Sequence, residues 1–315
     1  MNLAELPIPE SARQVIANSG ITELYPPQEE AVKAGALESK NLVLASPTAS
    51  GKTLVAELCA LKHVLEKGGK VLYLTPLRAL ANEKFEEFKK YSNIKKPDGR
   101  RISVGISTGD YDSSDPWLQR YDVIVTTNEK ADSLLRHRAK WVDEISLVIA
   151  DEVHLLNDSE RGPTLEVVLA RLMQINPDTQ ILALSATVKN ADEAAEWLKA
   201  ESVTTEWRPV TLKEGVLHQN EIQFKDGSAF KIERHSTNPA INLALHTIKG
   251  GGQALIFAST RKNAVSLARK ASADVEPLLS KPMKRTLQRL SEEILNAGER
   301  TRISELLAEL VAKGA

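Results

Sequence analysis

The chain is short of several residue types, and each shortage narrows the field. It has one cysteine, Cys59, in 315 residues, so no internal disulfide can form and nothing calls for an oxidising compartment. Its six histidines are scattered, without the spacing of metal ligands. Aromatic residues make up only 4%, which argues against a broad base-stacking platform. No excess of basic charge advertises nucleic acid: the formal net charge is -1, and any such contact must be a local patch. No apolar run reaches the length of a membrane span. Met1 to Glu10 has no basic cluster followed by an apolar core, so no signal peptide is expected, and the expected location is cytoplasmic.

What is present is an alternation. Short runs rich in Val, Ile and Leu occur at Leu42 to Ala45, Val71 to Leu74, Ile102 to Ile106, Val123 to Val125, Leu147 to Ala150 and Ile181 to Leu184. Strands buried on both faces of a parallel sheet have this composition. Between the runs lie apolar residues at helical spacing, such as Leu54, Leu58, Leu61 and Leu65. Strand and helix in repeated alternation predict an α/β domain with a doubly wound parallel sheet over residues 1–205. From 206 to 315 the pattern changes. A linker at Trp207-Arg208-Pro209 precedes a hairpin with Ile222 and Phe224 on one side, Phe230 and Ile232 on the other, and an Asp226-Gly227 turn. A helix from Pro239 to Ile248, a strand from Ala254 to Phe257 and a helix from about Lys262 to Ala271 then open a second α/β domain. Two amphipathic helices close the chain, one with Leu287, Leu290 and Ile294, the other with Ile303, Leu306, Leu307 and Leu310. Their stripes need a surface that a single parallel strand does not supply, so this second domain is expected to be incomplete.

Two constellations carry chemistry. Ser46-Pro47-Thr48-Ala49-Ser50-Gly51-Lys52-Thr53 stands between a strand and a helix. Small residues there let backbone N–H groups wrap a phosphate at a helix N-terminus. Lys52 would neutralise the β and γ phosphates of a nucleotide, and the Thr53 hydroxyl would bind magnesium. The strict form of the pattern begins with Gly, where this chain has Ser46. About a hundred residues later the run Leu147 to Ala150 enters Asp151-Glu152-Val153-His154. A strand ending in two acids sets carboxylates at the ligand-binding edge of an open sheet. Asp151 is then suited to hold the metal through water, and Glu152 to orient and deprotonate an attacking water.

These residues resemble a known family. Asp151 to His154 resembles motif II of the superfamily 2 DExH-box helicases, and Pro47 to Thr53 resembles their motif I, which tolerates a first residue other than Gly. Tyr25-Pro26-Pro27-Gln28 looks like the Q motif, in which Gln28 would read the adenine edge. Thr75-Pro76-Leu77-Arg78-Ala79-Leu80 looks like motif Ia; Thr108-Gly109-Asp110 and Thr126-Thr127-Asn128-Glu129-Lys130 look like the next two nucleic-acid motifs. Ser185-Ala186-Thr187 looks like motif III, and Phe257-Ala258-Ser259-Thr260-Arg261 like motif IV. The resemblance implies a RecA-like first motor domain followed by part of a second. It implies an ATP-dependent helicase that uses ATP and Mg2+ and binds single-stranded or forked DNA. Trp207-Arg208-Pro209-Val210 with Gly215-Val216 resembles the archaeal Hjm-type DNA repair helicases, related to the Ski and Brr groups. That branch implies 3′ to 5′ movement at stalled replication forks, a monomer, and unnamed replication or repair proteins as partners. Family members continue into motifs V and VI, the latter a Gln…Gly-Arg-x-Gly-Arg pattern that nothing in residues 262 to 315 matches. The chain is therefore expected to be a fragment, deficient in hydrolysis by itself.

Other residues admit two readings. Thr75, Pro76 and Arg78 follow a strand at the edge of the phosphate loop; by resemblance they touch a nucleic-acid backbone, and otherwise they begin a helix with Arg78 solvated. Thr126 and Thr127 sit similarly, their hydroxyls suited to phosphates. Ser185 and Thr187 are strand-end caps or, by resemblance, couple ATP state to domain movement, as would His154. The charge runs Glu83 to Lys90 and Lys95 to Arg101 read as solvated faces, the second basic enough for a weak phosphate contact. Three functions compete: an ATP-driven DNA or RNA translocase, a nucleotide-gated nucleic-acid-binding module with little hydrolysis, and a P-loop enzyme acting on a small substrate. Gln28, Thr75 to Arg78 and Ser185 to Thr187 count against the last.

Overall fold

A computed structural model describes residues 1–109, 115–187 and 190–315. Asp110, the third residue of one expected motif, lies outside them. The chain divides into two compact units, Met1–Thr211 and Leu212–Ala315.

The first unit carries seven strands: β1 (Leu42–Ala45), β2 (Lys70–Thr75), β3 (Val104–Ser107), β4 (Val123–Thr127), β5 (Ile145–Ala150), β6 (Gln180–Ser185) and β7 (Glu201–Thr204). Its helices are α1 (Glu10–Asn18), α2 (Pro26–Lys33), α3 (Lys52–Lys62), α4 (Arg78–Lys89), α5 (Asn128–Arg136), α6 (Gly162–Ile175) and α7 (Ala191–Leu198). The strand order is β3-β4-β2-β5-β6-β1-β7, and every neighbouring pair is parallel. The expected doubly wound sheet is present; the polar edge strand β7 was not among the expected runs.

The two-residue period of a strand divides each apolar run between two cores. Leu42, Leu44, Val71, Tyr73, Leu147, Ile149, Leu182 and Leu184 face α1 to α4. Val43, Leu72, Leu74, Val148, Ile181 and Ala183 face α5 to α7. Chain direction explains this division. From β1 through α3 to β2, and on through α4 to β3, the chain moves towards one edge. From β4 to β7 it moves back, through α5, α6 and α7. Right-handed crossovers then require the two sets of helices to cover opposite faces. The reversal sets the ends of β1, β5 and β6 side by side, and ligands of open α/β sheets bind at such a place.

The second unit has three short antiparallel strands, β8 (Gly215–His218), β9 (Glu221–Phe224) and β10 (Ala229–Lys231), in the order β10-β9-β8. The expected Asp226-Gly227 turn joins β9 to β10, with Gly227 at a φ of 84°. Helices α8 (Pro239–Lys249), α9 (Arg261–Val275), α10 (Lys281–Asn296) and α11 (Arg302–Ala312) follow. Their core is small: Ile241, Leu245 and Val275, backed by Ile248, Leu267, Ala271 and Leu279. One expectation fails here. Ala254 to Phe257 is not a strand, and Leu255 and Phe257 are 81% and 88% exposed. A strand needs a neighbour to complete its backbone hydrogen bonds, and β8 to β10 pair only with one another. Among the described residues no helix is long and apolar enough to cross a membrane.

Candidate active site

The carboxyl ends of five adjacent strands carry most of the expected residues. In spatial order the edge reads Thr127 at the end of β4, Thr75 at the end of β2, Asp151 after β5, Ser185 at the end of β6 and Ser46 after β1. Registers fix the alignment: Thr75 opposes Thr127, Leu74 opposes Ala150, Ala150 opposes Ala183, and Ala45 opposes Ser185.

The phosphate loop is anchored at its start, where the Ser46 N–H donates to the Ser185 carbonyl at 3.1 Å. The Ser46 and Ser50 hydroxyls lie 2.6 Å apart across its base, both buried. Thr48 and Ala49 form the exposed crown. Ala49 and Gly51 have φ of 66° and 86°, the left-handed turns that aim successive N–H groups into one concavity. Gly51 is needed on two counts: its φ is positive, and a Cβ there would overlap the Gln28 amide. Pro47 is buried, and α3 begins at Lys52. The Lys52 ammonium folds back onto the loop, donating to the carbonyls of Ser46 at 2.6 Å and Pro47 at 3.1 Å. Burial pulls its pKa below the usual lysine value; nearby Glu152 and Asp151 oppose that, and Arg208 adds to it. A phosphate would give this ammonium a stronger partner than two neutral carbonyls.

Gln28 is buried and its amide is engaged at both ends. Its Oε1 accepts from the Tyr25 N–H at 2.8 Å, and its Nε2 donates to the Gly51 carbonyl at 3.0 Å. It thus ties the N-terminus of α2 to the phosphate loop. Tyr25 also stacks at a tilt on Trp207, ring centroids 4.9 Å apart.

Asp151 is held from two directions. The Tyr73 hydroxyl donates to Oδ2 at 3.0 Å, and the Glu152 N–H donates to Oδ1 at 2.9 Å. Tyr73 is wholly buried, and burial followed by the Asp151 charge pushes its phenol well above its usual pKa. Glu152 adopts a φ of 54°. Its Oε2 is 3.2 Å from His154 Nδ1, an approach off the hydrogen-bond axis, so that buried nitrogen has no hydrogen-bond partner. Ser185 is fully buried with an unpartnered hydroxyl, and Thr187 is exposed.

Thr53, the expected metal ligand, accepts a hydrogen bond from Lys84 Nζ at 3.3 Å. Lys84 also meets Glu87 at 3.0 Å and Glu83 at 3.3 Å. Burial lowers its pKa, but Glu87, Asp151 and Glu83 outweigh burial and hold it above the ordinary lysine value. The run from Glu83 to Lys90 is therefore not a uniformly solvated face, because Lys84 is 7% exposed. Magnesium fits the donors present. A threonine hydroxyl and an aspartate carboxylate are hard oxygen ligands, and magnesium is commonly held by one or two protein oxygens, with phosphate and water completing its shell.

The nucleic-acid expectations change in detail. Thr75 and Thr126 are fully buried, and their hydroxyls donate inward, Thr75 to the carbonyls of Leu77 (3.2 Å) and Thr126 (3.4 Å), Thr126 to that of Ser107 (2.7 Å). Thr127 accepts from the Lys130 N–H and caps α5. The expectation that the Thr126 hydroxyl is offered to a phosphate is corrected, and the Thr75 hydroxyl is turned inward as well. At the end of an interior strand the adjacent carbonyl is the nearer acceptor, and buried hydroxyls take it. Pro76 is buried too, while Leu77 and Arg78, at the start of α4, are exposed. In the basic run, Lys96 pairs with Asp122 at 2.7 Å and Arg100 with Asp98 at 2.7 Å.

Tyr73 and Lys84 were not singled out by the sequence, and Arg208 was read only as part of a linker. For Lys84 a signal existed: it lies on the helical face of Ala81 and Phe88, both buried.

Comparison with known proteins agrees with this geometry. A DEAD/DEAH box helicase family model matches residues 25–194, more than half of the chain. An ATP-dependent DNA helicase Hel308 from Methanocella arvoryzae is 47% identical over 315 residues, all of this chain and 42% of the relative. One of the same name from Thermococcus kodakarensis is 50% identical over 294 residues, 93% of this chain and 25% of the relative. The chain thus spans less than half the length of these relatives. The crystal structure of the DUF1998 helicase MrfA superposes with a TM-score of 0.66 at 23% identity, over 90% of this chain and 44% of that one, a likeness of fold. By its matched residues, sheet order and the two acidic and phosphate-loop motifs at one sheet edge, the chain belongs to the DEAD/DEAH box helicase family.

Proposed function

We propose that this chain is the Mg-ATP-binding part of an ATP-dependent DNA helicase motor. One observation carries the reading: the loop with Lys52 after β1 and the Asp151–Glu152 pair after β5 stand at the same edge of one parallel sheet, with only β6 between their strands. In this reading the N–H groups of Ser46 to Thr53 wrap the phosphates, and Lys52 leaves its two carbonyls to neutralise them. Thr53 and Asp151 would hold magnesium, which screens the phosphate charge when bound. Tyr73 keeps Asp151 oriented. Glu152 orients the attacking water and takes its proton, with His154 beside it. Gln28 fixes the loop to α2 and stands near the Tyr25–Trp207 pair, where the adenine would enter; an adenine contact by Gln28 requires it to release the loop or Tyr25. Ser185, whose carbonyl accepts from the Ser46 N–H of the loop, and Thr187 would couple the ATP state to domain movement.

Arg78, exposed at the start of α4, would address a nucleic-acid phosphate rather than a base. The names of the relatives support DNA as the substrate. Movement 3′ to 5′ and action at forks belong to the same reading for the whole motor, as do the monomeric state and repair partners. An arginine finger contributes about a thousandfold or more in related ATPases, and residues 262 to 315 hold no Gly-Arg-x-Gly-Arg segment. Slow hydrolysis by this chain alone is expected.

Titration with a fluorescent ATP analogue tests the core of the proposal. Lys52→Ala should weaken binding by roughly tenfold or more, since charge-assisted bonds contribute about 1.5–3 kcal/mol. Glu152→Gln should bind as wild type. Equal affinity in wild type and Lys52→Ala would remove the loop from the nucleotide site.

A further inference from the structure

The magnesium end of the site already contains a cation. Lys84 is buried, and its ammonium lies 3.3 Å from the Thr53 hydroxyl. Burying an ammonium is unfavourable unless it is paired. Two carboxylates, Glu83 and Glu87, pair it from the same helix, and their side chains are the more exposed, at 56% and 35%. Satisfying those two acids alone would need no inward reach, because a solvated lysine on α4 could do it. From the position in which it meets both acids the buried ammonium also reaches the one hydroxyl that a metal would use.

A metal ion bound to Thr53 and the ammonium in its present position would be like charges within a few ångströms. With the Thr53 oxygen as a magnesium ligand, it becomes a poorer acceptor for the ammonium, and repulsion between the two cations adds to that loss. Lys84 and magnesium are thus alternatives at one oxygen. We propose that Lys84 is a resident counter-cation of the magnesium site: it holds the Thr53 hydroxyl while the metal is absent and must be displaced for the metal to bind. Glu83 and Glu87, its partners already, would keep the ammonium paired when it leaves Thr53, so its charge need not be lost. Lys84 is in this sense a positioning residue that sets the magnesium concentration at which the site fills. It lies on α4, the helix that begins at the exposed Arg78.

This role rests on the reading of Ser46 to Thr53 as a magnesium-nucleotide loop, which is checked first: wild type must bind a fluorescent ATP analogue in a magnesium-dependent way that Lys52→Ala impairs. If that fails, the nucleotide reading fails with it. If it holds, magnesium is titrated at fixed analogue concentration in the full chain. Lys84→Gln and Lys84→Met should each reach half-saturation at a magnesium concentration lower by roughly tenfold, as expected from removing one like charge at close range in a partly screened site. Lys84→Arg keeps the charge and should stay near wild type. Thermal melting with magnesium chloride alone gives a second readout, with a larger upward shift for the uncharged variants than for wild type. A merely structural lysine would alter the melting temperature in EDTA but not the magnesium midpoint. Should both uncharged variants fail to fold, Lys84→Arg decides, because a midpoint lowered in a variant that keeps the charge overturns the proposal. An unchanged midpoint in the uncharged variants overturns it too. A raised midpoint does the same, by showing that Lys84 helps to bind phosphate.

Discussion

Apolar residues meet different fates in the two units. Leu42, Leu72, Leu147 and Leu182 of the parallel sheet are at most 2% exposed, whereas Leu255, Phe257 and Ile303 of the second unit are 78% exposed or more. The closing helices of the second unit, α10 and α11, are no less amphipathic than α3 and α4 of the first. In the first unit each helix covers a sheet buried on both faces, and strands rich in Leu, Val and Ile receive it. In the second, the strands form a short antiparallel ribbon, and β10 is exposed along its whole length. An apolar stripe is thus a demand for a surface, and burial follows only where the topology supplies one.

The largest expected effect is a direct comparison of the two cores. Leu182→Ala, in the middle of the sheet, should cost about 3–5 kcal/mol, because neighbours on strands and helices cannot close the cavity. Leu245→Ala removes the same atoms from a cluster of three buried residues and should cost about 2 kcal/mol, near the lower limit for such changes, since a small cluster relaxes more easily. Urea unfolding measures both. All four tryptophans, at 117, 141, 197 and 207, lie in the first unit, so fluorescence follows Leu182→Ala, and circular dichroism follows Leu245→Ala. Equal costs would mean that the second core is as tightly packed as the first.

Acid should also separate the units, because the strongly shifted histidine belongs to the first. His63 is buried between Gln180, 2.7 Å from Nε2, and Ser146, 2.9 Å from Nδ1. Burial pushes its pKa down to about 4 from 6.5. The unfolded chain therefore binds a proton at higher pH than the folded one. The stabilisation is fully present above pH 6.5 and is lost as pH falls through about 4. Its size is up to roughly 3 kcal/mol, an upper figure that solvent relaxation reduces. Unfolding midpoints measured by fluorescence between pH 7 and 4.5 should fall, and His63→Gln should flatten that fall. An unchanged slope in the variant would mean that other groups govern the acid response.

The sequence made some of this legible and hid the rest for identifiable reasons. Ser46 to Thr53 and Asp151-Glu152 could be read because both are polar turns directly after apolar strands, a local pattern. The direction of the Thr75 and Thr126 hydroxyls could not, because it depends on the carbonyl of whichever strand lies alongside. Lys84 was hidden by contiguity. Among the charges from Glu83 to Lys90 it looks solvated, although the helical repeat sets it on the Ala81 and Phe88 face. Strand β7 was missed because only Val203 of its four residues is buried. Ala254 to Phe257 has the composition of a strand, but no neighbour supplies the backbone pairing that would make it one.

The smallest expected effect lies on the helical face of the second unit. Ile303 is 78% exposed at the start of α11, and its side chain already meets water in the folded state. Ile303→Ser removes apolar area that contributes little to folding, and it leaves the Thr301 cap intact, in which the Ser304 N–H donates to the Thr301 hydroxyl. The change in stability should stay within about 0.5 kcal/mol, the range for surface positions free of caps and buried partners. Solubility should rise rather than fall, because an exposed apolar residue is replaced by a hydroxyl. A helix-sensitive urea transition measures the first, and light scattering over a concentration series the second. A loss of more than about 1 kcal/mol at constant monomer content would mean that Ile303 is covered in solution, and the contrast with Leu182 would then be one of degree.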